Sequence, residues 1–197
     1  MKVQLLDLHA QYENIMSEIK EEMDIVFANH NYILGKQVKD FENTMEEYLE
    51  ANHAISCASG TDALVLALRA LKIGPGDEVI TTPFTFFATA GSIARVGAKP
   101  VFVDVDKDTF NIDADLIEAA ITDKTKAIIP VHLFGQPAEM DKIMAIAKKH
   151  NLKVIEDNAQ GIGSKYDGKY SGTIGDIGTL SFFPSKNLGC MGDGGMC

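Results

Sequence analysis

Six short apolar runs, separated by segments of helical period, constrain the fold of this chain more than any other feature. They cover residues 53–58, 78–82, 100–105, 126–133, 152–157 and 177–183. Several are unbroken rather than alternating, which is the pattern of strands covered on both faces. Between them, residues 62–71, 113–121 and 139–150 carry apolar side chains at helical spacing, with Met140, Ile143, Met144 and Ala147 on one face. Strand and helix in alternation predict an α/β fold, a mostly parallel sheet with helices on both sides in three layers.

Upstream the pattern differs. Tyr12, Ile15, Met16, Ile19, Met23 and Val26 recur at helical spacing, predicting one amphipathic helix over 12–27, and a second helical stretch runs from Val38 to Leu49. The expected organisation is therefore an N-terminal helical segment, residues 1–52, followed by the sheet domain, residues 53–197. Gly74-Pro75-Gly76-Asp77 marks a turn from helix to strand, and Asp167-Gly168 a hairpin turn.

A net charge of -10 argues against nucleic-acid or anionic-membrane surfaces, so any phosphate has to be bound locally. No window has the apolar length of a membrane span, and Met1-Lys2-Val3-Gln4 does not open a secretory signal; a cytoplasmic location is expected. Cys57, Cys190 and Cys197 are odd in number and scattered, as free thiols in a reducing compartment are. The five histidines form no metal-ligand spacing, and no metal is expected.

In open parallel sheets, ligands sit beyond the carboxyl ends of the strands. The chemically useful residues fall there. Ser59-Gly60-Thr61-Asp62 opens an apolar helix, where free amides suit a phosphate, although Ser59 or Thr61 could equally be an ordinary helix cap. Asp157 ends one strand and could hold a protonated ring nitrogen or cap a turn; Gln160 follows as a donor to a ring oxygen. Phe86, just past another strand, could stack on a ring face, whereas Phe87 reads as core. Ser181 could reach the phosphate. Lys186, in Phe183-Pro184-Ser185-Lys186-Asn187-Leu188, is an amine just beyond the last complete strand and could condense with an aldehyde.

Two motifs mislead. Gly163-Ser164-Lys165-Tyr166-Asp167-Gly168-Lys169-Tyr170 nearly matches a phosphate-binding P-loop, but Tyr170 replaces the magnesium-holding hydroxyl, and a hairpin is expected instead. Gly172, Gly175 and Gly178 lack the spacing of a dinucleotide fingerprint.

With those residues in view, the chain resembles the large domain of the DegT/DnrJ/EryC1/StrS sugar aminotransferases, of the aspartate aminotransferase fold (fold type I pyridoxal phosphate enzymes). The likeness lies in the order of Tyr32-Ile33-Leu34-Gly35, Ala58-Ser59-Gly60-Thr61-Asp62, Gly74-Pro75-Gly76-Asp77, Thr85-Phe86-Phe87-Ala88-Thr89-Ala90, Val131-His132-Leu133-Phe134-Gly135, Glu156-Asp157-Asn158-Ala159-Gln160 and Ser185-Lys186-Asn187-Leu188. It implies pyridoxal 5'-phosphate as cofactor. It further implies Lys186 as the condensing and proton-carrying amine, Asp157 at the pyridine nitrogen, Gln160 at the phenolic oxygen and Phe86 on the ring face. Gly60, Thr61 and Ser181 are implied at the phosphate.

The resemblance also implies an amino transfer from glutamate to a keto sugar on a nucleotide diphosphate, by a homodimer. Lysine at 186, where dehydratase relatives carry histidine, points to the transaminating members. The stretch after Phe183 resembles members acting at sugar carbon 3 more than carbon 4. Asn158 departs from the alanine or cysteine commoner there, a tolerated change. Family members also carry a second, smaller domain beyond the point where these residues stop, so a truncated large-domain portion is expected. The alternatives are a non-catalytic domain of this fold or a nucleotide-binding module built on Gly163 to Tyr170.

Overall fold

A computed structural model describes residue 3 and residues 6–197. Positions 1, 2, 4 and 5, which belong to the expected N-terminal segment and to the stretch read for a secretory signal, lie outside the described residues. The single helix expected over 12–27 is two helices, α1 (Leu8–Glu13) and α2 (Met16–Asn29). Asp7 caps α1 by accepting from the His9 and Ala10 amides, and α1 closes on Asn14, a residue that readily satisfies backbone outside a helix. No residue of α2 is buried, so packing does not hold the two in line; Tyr12 instead donates to the Cys190 carbonyl at 3.3 Å. Helix α3 (Lys36–Leu49) buries Met45 and Leu49, and its Glu42 and Glu46 accept from the Ser56 and Ala54 amides.

The alternating part follows in chain order. It runs β1 (Ser56–Cys57), α4 (Gly60–Ala70), β2 (Glu78–Thr81), α5 (Ala88–Arg95), β3 (Lys99–Phe102), α6 (Ala114–Ile117), β4 (Thr125–Ile129), α7 (Met140–His150), β5 (Lys153–Asp157), the pair β6 (Lys165–Tyr166) and β7 (Lys169–Tyr170), β8 (Ile177–Ser181) and β9 (Gly195–Met196). The sheet order is β1-β9-β8-β5-β4-β2-β3. Strands β3, β2, β4, β5 and β8 are parallel; β9 pairs antiparallel with both β8 and the edge strand β1, so β9 alone is reversed. The α/β reading holds.

Pleating explains the unbroken apolar runs, because successive side chains leave a strand on opposite faces. Ile80, Ile128 and Val154 pack with Ile117, Met140 and Ile143 on the α6 and α7 side. Val79, Ala127, Ile129 and Ile155 pack with Leu64, Leu68 and Ile93 on the α4 and α5 side. A third cluster joins Met45 and Leu49 of α3 to Leu180, Phe182 and Met196. Two strands depart from expectation. β3 is an edge, with Phe102 exposed on it, and the run at 53–58 pairs over two residues only.

The near-P-loop is a hairpin. Asp167 and Gly168 both have positive φ (48° and 81°), the demand of a tight two-residue turn, and Lys165 lies 4.0 Å over the Tyr170 ring. With strands on both sides of the turn and no helix after it, this segment lacks the loop-then-helix anion site that the nucleotide-module alternative needs. All three cysteines are free, and among the described residues no helix is long and apolar enough to cross a membrane and no group of three metal-ligating side chains converges.

Candidate active site

The parallel strands end on one rim, and the loops leaving β2, β4, β5 and β8 meet the start of α4 there. Between them lies a cavity of about 410 Å³. Gly60, Thr61, Phe86, Asp157, Gln160, Ser181 and Lys186 all line it. Residues up to 126 positions apart in sequence thus share one wall, as the sheet order requires.

The start of α4 is built for an anion. Ser59 is the cap, extended and accepting from the Asp62 amide at 3.1 Å, so the capping reading of Ser59 is correct. The cap leaves the earlier amides of Gly60 and Thr61 without a partner within the helix. The helix start is pressed onto the sheet: a Cβ on Gly60 would stand 2.6 Å from Ser181 Cβ, and one on Gly195 would stand 2.3 Å from the Ser59 carbonyl carbon. Ser181 therefore lies beside the free amides, and among the described residues its Oγ accepts only a long bond, 3.4 Å, from the Phe183 amide.

Asp157, the last residue of β5, is buried in the cavity floor. Its Oδ2 accepts from the Thr89 hydroxyl at 2.8 Å and its Oδ1 from the Ala159 amide at 3.3 Å. Burial pushes its carboxyl above the ordinary range, opposed first by the Thr89 hydrogen bond and the Ala159 amide and then, more weakly, by nearby His132 and Lys186. Such a group has most to gain from a cationic N–H donor.

Its neighbour Glu156 faces the other way and is saturated. Oε1 accepts from the Ile174 and Gly175 amides (2.7 and 2.6 Å), and Oε2 from Gly172 and His132 (both 2.8 Å). Burial alone would raise this carboxyl, but His132 and the amides outweigh it and hold it below the ordinary range. His132 Nδ1 accepts from the Ala138 amide at 3.1 Å, which places the ring proton on Nε2, toward Glu156.

Gln160 is oriented by backbone. The Phe134 amide donates to it at 2.8 Å, so the acceptor is Oε1 and both Nε2 hydrogens remain to be used. The strained piece is Phe134, a bulky residue at φ 53°, which turns its amide toward Gln160 while its ring stays exposed. Phe86 lines the cavity with an exposed ring. Phe87 is not core: it is 80 % exposed, because it stands at the start of α5 with its ring lying over Gly91. Asn158 is buried and satisfied, donating to the Ser171 carbonyl and accepting from its hydroxyl at 2.8 Å each.

Sequence reading missed Thr89, the Glu156–His132 pair and Phe134. Thr89 had no local signal, since its partner is 68 positions away. A half-buried lysine, Lys186, a helix start with unpaired amides and a buried carboxylate thus face one cavity, a set with an amine, an anion site and an acceptor for an N–H donor.

Comparison with known proteins places the chain. The model of the DegT/DnrJ/EryC1/StrS aminotransferase family matches residues 13–197. A curated relative, the pleiotropic regulatory protein of Geobacillus stearothermophilus, is 60% identical over 196 residues, covering 100% of this chain and 53% of the relative. The UDP-N-acetyl-3-dehydro-alpha-D-glucosamine 3-aminotransferase of Acidithiobacillus ferrooxidans is 53% identical over 194 residues, covering 98% and 53%. The crystal structure of S. venezuelae DesV in complex with a ketimine intermediate superposes with a TM-score of 0.96 at 43% identity, covering 99% of this chain and 53% of that one. The chain spans about half the length of the curated relatives it matches.

Proposed function

From a chain that belongs to the DegT/DnrJ/EryC1/StrS aminotransferase family, we propose the large-domain portion of a pyridoxal phosphate enzyme that moves an amino group from glutamate to a nucleotide-linked 3-keto sugar. One observation carries this reading: the seven side chains and amides that such a cofactor needs line a single cavity. The 3-keto preference is supported by the 3-aminotransferase among the relatives. The reading includes a cytoplasmic homodimer, an N-terminal helical segment over 1–52 and a cofactor-binding domain over 53–197.

When bound, the cofactor supplies an electrophilic carbonyl carbon and an electron-accepting ring. The Gly60 and Thr61 amides and the Ser181 hydroxyl hold the phosphate at the positive end of α4. The Asp157 carboxylate accepts from the ring N–H and keeps that nitrogen protonated; the added cation offsets the burial that raises its own pKa. Gln160 donates from Nε2 to the phenolic oxygen, its Oε1 pinned by Phe134. Phe86 covers one ring face, for about 0.5–1.5 kcal/mol beyond burial. Lys186 Nζ, lining the same cavity, would take the proton from the carbon of the amino donor that bears nitrogen and deliver it to the cofactor carbon that receives that nitrogen.

The test is addition of pyridoxal phosphate, borohydride reduction and peptide mapping. A visible-edge absorbance band and a single adduct on Lys186, absent from Lys186→Arg, are expected. Labelling spread evenly over surface lysines, or magnesium-dependent nucleotide binding with no coloured adduct, overturns the proposal.

A further inference from the structure

We propose that Thr89 is a positioning residue for the cofactor: its hydroxyl holds Asp157 ionised and aimed, through a hydrogen-bond relay that begins at Thr85. The inference rests on the reading of Asp157 as the partner of the ring nitrogen, but its central test does not need the cofactor.

Thr89 sits in the first turn of α5 and is completely buried. Its hydroxyl has three neighbours: Asp157 Oδ2 at 2.8 Å, Thr85 Oγ1 at 2.9 Å and the Phe86 carbonyl at 3.3 Å. A hydroxyl has one proton to give. The carboxylate is the nearest and the only charged acceptor, so the proton goes to Asp157, and Thr85 donates to the Thr89 oxygen. Each bond in such a chain polarises the next. The direction follows from charge: an ionised carboxylate can only accept, and Asp157, buried in the cavity floor, has the Thr89 hydroxyl as its nearest donor.

The chemical consequence concerns where one proton sits. Between a ring nitrogen and a carboxylate the proton can lie on nitrogen, giving an ion pair, or on oxygen, giving two neutral groups. Only the first makes the ring a strong electron acceptor. A hydrogen bond from Thr89 favours the carboxylate, and hence the proton on nitrogen; removing it favours the neutral pair. The other ionisable groups that bear on Asp157 are His132, from the loop after β4, and Lys186, from the loop after β8. His132 is fixed by Glu156 and Ala138, and no hydrogen bond joins Lys186 to Asp157, which leaves the Thr89 hydroxyl at 2.8 Å as the side-chain donor to this carboxylate beside the longer Ala159 amide contact at 3.3 Å.

The experiment compares wild type with Thr89→Val and Thr89→Ser. In cofactor-free protein with 13C-labelled aspartate, the Asp157 carboxyl titration is expected to move up in Thr89→Val by roughly ten-fold in the protonation equilibrium, the effect of one hydrogen bond to a charged acceptor. Thr89→Ser keeps the hydroxyl and should titrate like wild type. In protein loaded with 15N-ring-labelled pyridoxal phosphate, the ring nitrogen resonance should be that of a protonated pyridine in wild type and Thr89→Ser, and move toward the unprotonated position in Thr89→Val. If Thr89→Val does not fold, Thr85→Val removes the upstream donor and should give a smaller shift of the same sign. An Asp157 titration unchanged in Thr89→Val, or equally changed in Thr89→Ser, overturns the inference. Failure of wild type to take up the cofactor overturns the enzyme reading instead, while the carboxyl titration still decides the role of Thr89.

Discussion

Gly60 on α4 and Ser181 on β8 meet so closely that a methyl group on the glycine would lie 2.6 Å from the serine Cβ and 3.2 Å from its Cα. The helix start and the strand end are thus spaced for a glycine, and both residues line the cavity. Gly60→Ala would gain up to about 1 kcal/mol in helix propensity but force apart two packed backbones, at about 1–3 kcal/mol. Overpacking wins. Denaturant unfolding should show a net loss of about 1–2 kcal/mol, with pyridoxal phosphate retained less well, and Ser181→Gly in the same chain should restore much of the stability. Unchanged unfolding in Gly60→Ala would mean that the helix start yields easily.

Acid stability should depend on Glu156. Its carboxyl is held below the ordinary range in the fold despite complete side-chain burial, by His132 and three amides. A depressed folded pKa contributes stability that is in place above the ordinary value of about 4.3 and is lost as pH falls through the folded value. Unfolding free energy should therefore drop as pH is taken below about 4. Glu156→Gln should flatten that part of the profile and, by turning an amide donor against backbone donors, cost about 3–5 kcal/mol near neutrality. Unfolding curves between pH 3 and 7 for the two proteins check both statements.

Much of this was legible in the residues. Continuous apolar runs such as Ala127-Ile128-Ile129 in β4 announce strands buried on both faces, and the helix-start and strand-end residues fall on one rim by topology alone. What was not legible depends on partners distant in sequence. Helix α5 was missed because Ala88-Thr89-Ala90-Gly91-Ser92 has weak helix propensity; it forms because Thr89, Ser92 and Ile93 are buried against the sheet. Phe87 was assigned to the core by its hydrophobicity, yet its place at the helix start turns it outward. The break at Asn14 was hidden by a period that runs through it. Glu156 looked like a strand residue, and only the return of residues 172–175 reveals its partners.

The Phe134 amide should prove as important to Gln160 as the glutamine's own chemistry. With Gln160→Leu, that amide loses its acceptor, and a donor left unpaired costs about 1–3 kcal/mol if water cannot reach it. Phe134 is exposed, so water can, and the loss should be at the low end, about 1 kcal/mol in unfolding experiments. Phe134→Gly relieves the positive φ without touching the amide, and should be neutral or slightly stabilising. A large loss in Phe134→Gly would show that its ring, not its backbone, is what the loop needs.

Asp157 should reveal the tension between holding a ligand and being stable without one. Burial raises its pKa in the fold, so its contribution to stability is in place below the ordinary carboxyl value of about 3.9 and is lost as pH rises through the folded value. As pH rises through the folded value, the empty protein acquires a buried carboxylate that the Thr89 and Ala159 hydrogen bonds only partly compensate. Asp157→Asn removes the charge, keeps an oxygen for Thr89, and should make cofactor-free protein more stable by an amount that grows as pH rises above the ordinary carboxyl value of about 3.9 and shrinks to nothing below it. The same change takes away the anion that a protonated ring nitrogen needs, and retention of pyridoxal phosphate should weaken about 10- to 100-fold, the range for a hydrogen bond to a charged partner. Unfolding curves with and without the cofactor separate the two effects, because addition of cofactor should stabilise wild type far more than the variant. Equal stabilisation of both would mean that the carboxylate at this position serves the fold and not the ligand.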